Sequence, residues 1–305
     1  MNEPTMKRRL RSVGRQGRTV VTRGKAVLRR AVGPDEELQA KLDFANSEVR
    51  RLRSLVKAER KTSARWKKEL QLTRRSLMDP LPRAELPDGV AETIERARGE
   101  RLSYLGIPEL TVLARQVHDA DLAGREGLII EAGTARGGSA IVMAAAKDPA
   151  RPMKVYDVFD QIPAPTDADG SDVKKRYEQI QAGGARGVAG DTYYGYRDDL
   201  YTEVTESFAR LGVPVEDNNV ELVKGLFADT IDLDQPVAFA HLDGDWYEST
   251  MTCLERIVPL LSRGGRIVLD DYFHWSGCRT AVDEYFANRS GFLLERRNKV
   301  HVIKL

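Results

Sequence analysis

Two short acidic motifs hold the residues whose types and spacing suggest chemistry. Asp243 stands in His241-Leu242-Asp243-Gly244-Asp245-Trp246-Tyr247, and Asp270-Asp271 form the second motif. Each follows a short apolar run, Val237–Leu242 and 266–269, with the length of a buried strand. If the two strands are neighbours in a parallel sheet, the three carboxylates project from their carboxyl ends, where α/β folds bind ligands. Carboxylates gathered in one crevice repel each other unless a cation compensates them. A set made only of oxygen ligands favours a hard ion such as Mg²⁺. The competing explanation is a group of helix N-caps and solvated loop acids, since Asp is a good N-cap.

A second constellation is the turn Glu131-Ala132-Gly133-Thr134-Ala135-Arg136-Gly137-Gly138-Ser139, after the apolar run 128–130. Its glycines permit a tight turn and let a ligand approach the backbone. A dinucleotide site would want G-x-G-x-x-G, with a pyrophosphate at the helix N-terminus. Here the pattern is E-x-G-x-x-x-G-G-S, which suits S-adenosylmethionine (SAM), a ligand without phosphate. A purely structural glycine turn would look the same. Asp157 ends the next strand, 24 residues after Gly133. An acidic residue at that place can accept hydrogen bonds from two ribose hydroxyls.

These motifs need elements to position them, and from residue 127 the pattern alternates strand and helix. Strands are expected at 128–130, 154–156, 219–223, 237–242 and 266–269, with helices at 140–146, 197–211, 247–261 and 278–287. Two final strands, 291–296 and 299–304, flank a turn at Arg297-Asn298. The expected fold is α/β: a Rossmann-like, doubly wound, mostly parallel seven-stranded sheet with an antiparallel edge strand. Residues 160–196 break the rhythm with repeated Gly, Pro and Tyr, and a connection this long is expected to be a lid over the substrate. His241 falls inside a strand and is expected to be a packed core residue.

The N-terminal part is different in kind. Residues 1–85 hold 23 Lys and Arg against 10 Asp and Glu, a net charge of +13, whereas residues 86–305 carry −11. Three regions follow: a basic tail at 1–34, a helical coiled coil at 35–80, ended by Asp79-Pro80-Leu81-Pro82, and a catalytic domain at 88–305. Leu38, Leu42, Ala45, Val49, Leu52, Val56, Glu59, Ser63, Trp66, Leu70, Thr73 and Leu77 alternate steps of four and three, the period of a supercoiled helix. A homo-oligomer through residues 35–78 is the expectation, and the tail could meet an anionic membrane surface. Nucleic acid is a poor partner for a domain of charge −11. No apolar run is long enough for a membrane span, and the N-terminus lacks an apolar signal region, so a cytoplasmic protein is expected, peripheral to a membrane at most. Cys253 and Cys278 have no metal-ligand spacing and are expected to be inert and buried.

Residues 100–305 resemble the macrocin O-methyltransferase family of class I SAM-dependent methyltransferases. The resemblance lies in Ile130–Ser139, Asp157–Pro163, Lys224–Thr230, Leu242–Thr250 and Asp270-Asp271-Tyr272 with Gly277-Cys278 and Ala281-Val282-Asp283. It implies methyl transfer from SAM to a sugar hydroxyl of a glycosylated metabolite. It further implies that Glu131, Gly133, Ala135, Gly137, Gly138 and Ser139 surround the methionine part of SAM, that Asp157 holds the ribose, that Phe227 and Ala228 border the adenine, and that Asp243, Asp270 and Asp271 bind Mg²⁺. A sugar hydroxyl needs a proton acceptor within hydrogen-bond reach. His274 is the first choice, because an imidazole works near neutral pH, and Asp245 is the second. A coiled-coil scaffold that binds SAM or a nucleotide without turnover, and a methyltransferase for a phenolic or catechol-like acceptor, are the alternatives.

Overall fold

A computed structural model describes residues 34–76 and 86–305. Most of the basic tail and the Pro80 boundary lie outside the described residues. The chain divides into two compact units, Met1–Thr73 and Arg74–Leu305. The described part of the first belongs to one long helix, α1 (Pro34–Ser76), which runs three residues past that division. No helix among the described residues is long and apolar enough to cross a membrane.

The second unit begins with α2 (Val90–Gly99) and α3 (Ile107–Leu122), where Pro108 sits in the first turn. The repeating units follow: β1 (Leu128–Ala132), α4 (Gly138–Ala146), β2 (Met153–Asp157), α5 (Ser171–Gln181), α6 (Leu200–Arg210), β3 (Val220–Lys224), the short α7 (Phe227–Thr230), β4 (Val237–Leu242), α8 (Tyr247–Ile257), β5 (Leu261–Leu269) and α9 (Ser276–Phe286). The chain closes with β6 (Phe292–Arg296) and β7 (Val300–Lys304). Strand order is β3-β2-β1-β4-β5-β7-β6. The first five strands pair in parallel, and β7 pairs antiparallel with both β5 and β6.

The sheet differs from expectation in one detail. The antiparallel strand is not at the edge: the hairpin inserts β7 between β5 and β6, and β6 takes the edge. That insertion sets Leu269 opposite Val300 and so brings the hairpin turn beside Asp270. The expected irregular lid at 160–196 contains a full helix, α5, and two 3₁₀ turns, Val188–Gly190 and Tyr194–Tyr196.

Burial explains why these runs are strands. Every residue of β1 and β4 is buried, as in a parallel sheet covered on both faces. Successive side chains point to opposite faces. Ile129, Val155 and Phe239 pack with α2, α3, α4 and α6 on one face. Leu128, Ile130 and Ala240 pack with Cys253, Leu254 and Ile257 of α8 and Val282 of α9 on the other. Cys253 and Cys278 are both free and buried. The chain winds outward in both directions from β1 and β4, and a crevice opens beyond their carboxyl ends.

Phe239 of β4 is 1% exposed. Phe239→Ala removes a fully packed ring from the central strand and is expected to lower unfolding free energy by about 3–5 kcal/mol, read from urea denaturation.

Candidate active site

The glycine turn after β1 is shaped by two close approaches. Gly133 has φ +87°, and a Cβ there would collide with the carbonyl of Asp243 in the turn after β4. Gly138 starts α4 with its N–H donated to Leu102 O at 3.1 Å, and a Cβ there would meet the Leu102 backbone. The turn is braced from β2. Asp157 accepts the N–H groups of Thr134 at 2.7 Å and Ala135 at 3.1 Å through Oδ2, and that of Phe159 at 2.7 Å through Oδ1. Burial pushes its pKa up against these three donors.

Three non-glycine residues adopt left-handed backbone on the loops that leave β1, β2 and β4: Ala135 (φ 47°), Phe159 (φ 47°) and Asp245 (φ 50°). Such strain persists where surrounding structure holds it, commonly at functional sites. All three loops border one crevice. It forms a cavity of about 300 Å³ lined by Gly133, Asp157, Tyr194, Phe227, Ala228, Asp243, Asp245 and Trp246, among others.

At one end of this crevice, carboxylate oxygens of Asp243, Asp245 and Asp271 lie within 4.8 Å of one another. Burial first, then mutual repulsion among these residues and Asp270, raises the pKa of Asp243 and Asp245 well above the ordinary range. Behind them runs a buried charge network. Lys299 Nζ, delivered by the β6–β7 turn, is 2.7 Å from Asp270 Oδ2. His241 of β4 lies between two acids, with Nδ1 3.0 Å from Glu131 Oε1 and Nε2 3.6 Å from Asp270 Oδ1. Thr134 donates its hydroxyl to Glu131 Oε2 at 2.9 Å. Burial opposes a charged His241, yet Asp270 and Glu131 outweigh it and push its pKa up to about 9. Burial likewise opposes the charges on Lys299 and Asp270, but their pairing prevails, raising Lys299 and holding Asp270 below the usual carboxylate range.

Residues 98–292 match the macrocin-O-methyltransferase (TylF) family. The chain belongs to that family. It is a SAM-dependent O-methyltransferase. Among its relatives, the 8-demethyl-8-(2,3-dimethoxy-alpha-L-rhamnosyl)-tetracenomycin-C 4'-O-methyltransferase of Streptomyces olivaceus is 33% identical over 60% of this chain and 67% of its own length. The mycinamicin III 3''-O-methyltransferase of Micromonospora griseorubida is 31% identical over 64% of this chain and 77% of its own. The solved O-methyltransferase NovP superposes with a TM-score of 0.55 at 26% identity, covering 67% of this chain and 81% of NovP.

In this methyltransferase, the residues expected around SAM fall into two groups. Gly133, Asp157, Phe227 and Ala228 line the cavity. Glu131, Ala135, Gly137, Gly138 and Ser139 are not among its lining residues: they form the turn itself or the layer behind it. Glu131 is fully buried, because its carboxylate is drawn to His241 and Thr134. The acidic set is also rearranged. Asp270 was expected beside Asp243 and Asp271, but Lys299 draws its Oδ2 away, and Asp245 completes the tight group instead. Oδ1 of Asp270 and Oδ2 of Asp271 are buried without a hydrogen-bond partner. His274, the first choice as proton acceptor, has a side chain 55% exposed, lies 3.9 Å from Asp271 Oδ1 and does not line the cavity.

Several site residues had no signal in the sequence. Lys299 pairs across 29 residues and looks like any hairpin lysine. The insertion is tied down by single acids: Asp169 accepts the Tyr247 N–H at 2.8 Å, and Asp172 accepts that of Ser276 at 3.0 Å, at the starts of α8 and α9. Trp246 Nε1 donates to Pro163 O at 3.0 Å. Arg136 of the glycine turn and Arg197 each bridge Glu203 at 2.7 Å and Asp191, at 3.2 and 3.3 Å respectively. His241 was expected only as core, and its Cα position fits that, but its ring joins the acids.

Lys299→Met leaves Asp270 buried without its cation. Thermal or urea unfolding is expected to show a loss of about 3–5 kcal/mol, the range for breaking one side of a buried ion pair. A loss below 1 kcal/mol would contradict the network described.

Proposed function

We propose that this enzyme transfers the methyl group of SAM to a hydroxyl of a neutral, sugar-bearing metabolite, with Mg²⁺ bound at the acidic end of the crevice. The observation that carries this reading is the single cavity shared by Gly133 and Asp157, on the cofactor side, and Asp243 and Asp245, on the acceptor side. The two ends are held together because Gly133 packs on the Asp243 backbone. The acidic end fits a divalent cation: it gathers the half-buried carboxylates of Asp243 and Asp245 with the buried one of Asp271, they repel each other, and Oδ2 of Asp271 has no hydrogen-bond partner. Asp243 and Asp271, whose carboxylate oxygens lie close together, would hold the ion. Such an ion lowers the pKa of a coordinated hydroxyl and fixes its orientation.

The acceptor class follows from charge and from relatives. The described residues lining the cavity include Asp157, Asp169, Asp243, Asp245 and Glu248 but no Lys or Arg. A phosphate or carboxylate on the acceptor would be repelled, whereas a polyhydroxylated sugar would find acceptors for its hydroxyls. The names of two relatives specify 4'-O- and 3''-O-methyl transfer, and one of them names a rhamnosyl group. On the cofactor side, Asp157 keeps the glycine turn in shape and lies at the end of β2, where a ribose would sit. Phe227 and Ala228, at the start of α7, offer an apolar wall for a base.

Asp245 is the proposed proton acceptor. It faces the cavity, its backbone is held in a left-handed conformation, and burial with neighbouring acids raises its proton affinity, which makes its ionised carboxylate a stronger base. The acceptor oxygen attacks the SAM methyl carbon in line, the carbon–sulfur bond breaks, S-adenosylhomocysteine leaves and Asp245 takes the hydroxyl proton. Trp246 and the insertion, joined through Pro163, keep bulk water from the reacting atoms.

Release of S-adenosylhomocysteine with neutral glycosides as acceptors tests the reading. Asp245→Asn is expected to lower kcat by about 10²–10⁴ while Mg²⁺ still stimulates the residual rate. Asp243→Asn should abolish both turnover and stimulation. Full activity in excess EDTA would overturn the metal assignment, and turnover of catechols but not glycosides would overturn the acceptor class.

A further inference from the structure

Helix α1 carries an exposed apolar stripe. Leu38, Leu42, Val49, Leu52 and Val56 are between 44% and 68% exposed, along a helix of 43 residues. With Ala45 they recur at alternating intervals of four and three, an average of 3.5, so the stripe stays on one side only if the helix supercoils against a partner. Leu38, Ala45 and Leu52 occupy heptad position d, and Leu42, Val49 and Val56 occupy position a. β-Branched residues at a with Leu at d favour two strands. Glu59 and Ser63 then interrupt the seam, which concentrates the packing in the six layers from Leu38 to Val56.

The charges beside the seam identify the occupant and its direction. Position e holds Gln39, Asn46, Arg53, Arg60, Lys67 and Arg74, and position g holds Lys41, Glu48, Leu55, Thr62, Glu69 and Ser76. In a parallel pair, each g residue faces the e residue five places later on its partner. A second copy in register then sets Glu48 against Arg53, and Lys41 against neutral Asn46. Among the described residues Glu48 pairs with exposed Arg51 at 3.3 Å. Such surface pairs are weak and do not hold Glu48 back from a partner.

We propose that residues 38–56 of α1 form a parallel, in-register, two-stranded coiled coil with a second copy of the chain. The proposal is independent of the acceptor and the metal.

Light scattering on the full chain is expected to give twice the 34.1 kDa chain mass. Leu42→Asp with Leu52→Asp should return the mass to one chain. Val49→Cys should form an interchain disulfide under mild oxidation, since like positions face each other only in a parallel, in-register pair. Glu48→Arg should weaken dimerisation by about tenfold, and adding Arg53→Glu should restore it. A monomer, a trimer, a dimer that survives the Leu42/Leu52 changes, or a dimer without the Val49→Cys cross-link would overturn the proposal.

Discussion

Burying several carboxylates at one end of a sheet is the constraint on which this catalytic domain depends. Asp243, Asp245, Asp270 and Asp271 leave adjacent strands, and Glu131 stands one strand away. The chain supplies two partial answers. Lys299 pairs with Asp270, and His241, held charged by its neighbours, lies between Asp270 and Glu131. Both come from elements whose placement is otherwise a matter of sheet packing: His241 from the interior of β4, Lys299 from a hairpin inserted beside β5. Beside Asp243, Asp245 and Asp271 the described residues place exposed His274, which approaches Asp271. The residual negative charge faces the cavity, and that is where a reaction needing a polarised hydroxyl would use it.

The same network ties the acceptor side to the cofactor side. Glu131 reaches Thr134 in the glycine turn, Asp157 accepts the N–H groups of Thr134 and Ala135 in that turn, and Gly133 lies against Asp243. A change at the acids is therefore transmitted to the turn by direct contact. The insertion joins from above: Asp169 and Asp172 fasten it to α8 and α9, and the Arg136–Glu203–Arg197–Asp191 group fastens it to the glycine turn. Its order comes from these long-range contacts and from α5, which is why a stretch rich in Gly and Tyr holds a defined shape.

What was legible in the sequence follows from range. The apolar runs of β1 and β4 and the alternation of strand and helix depend on local pattern, so the parallel sheet could be read directly. The position of β7 could not, because a hairpin says which strands pair with each other but not which of them meets β5. At the site, Gly133, Asp157, Asp243, Asp245 and Asp271 come together as their motifs suggest. Asp270 and Glu131 turn away because Lys299 and His241 attract them, and those pairings join residues 29 and 110 apart. His274 is adjacent to the acids in sequence, yet the turn after β5 leaves its ring largely in solvent. The helical seam of α1 could be read throughout as a period, while its partner is a matter of assembly.

The central claim is that the acids beyond β4 and β5 form a cation site beside the SAM turn. Direct titration of the metal-stripped chain with Mn²⁺, followed by the loss of the free-ion electron paramagnetic signal, tests it without reference to turnover. The account predicts one ion bound per chain, competed by Mg²⁺ and lost in a folded Asp271→Asn variant. Absence of binding to the wild-type chain, or binding unchanged by that substitution, would contradict it.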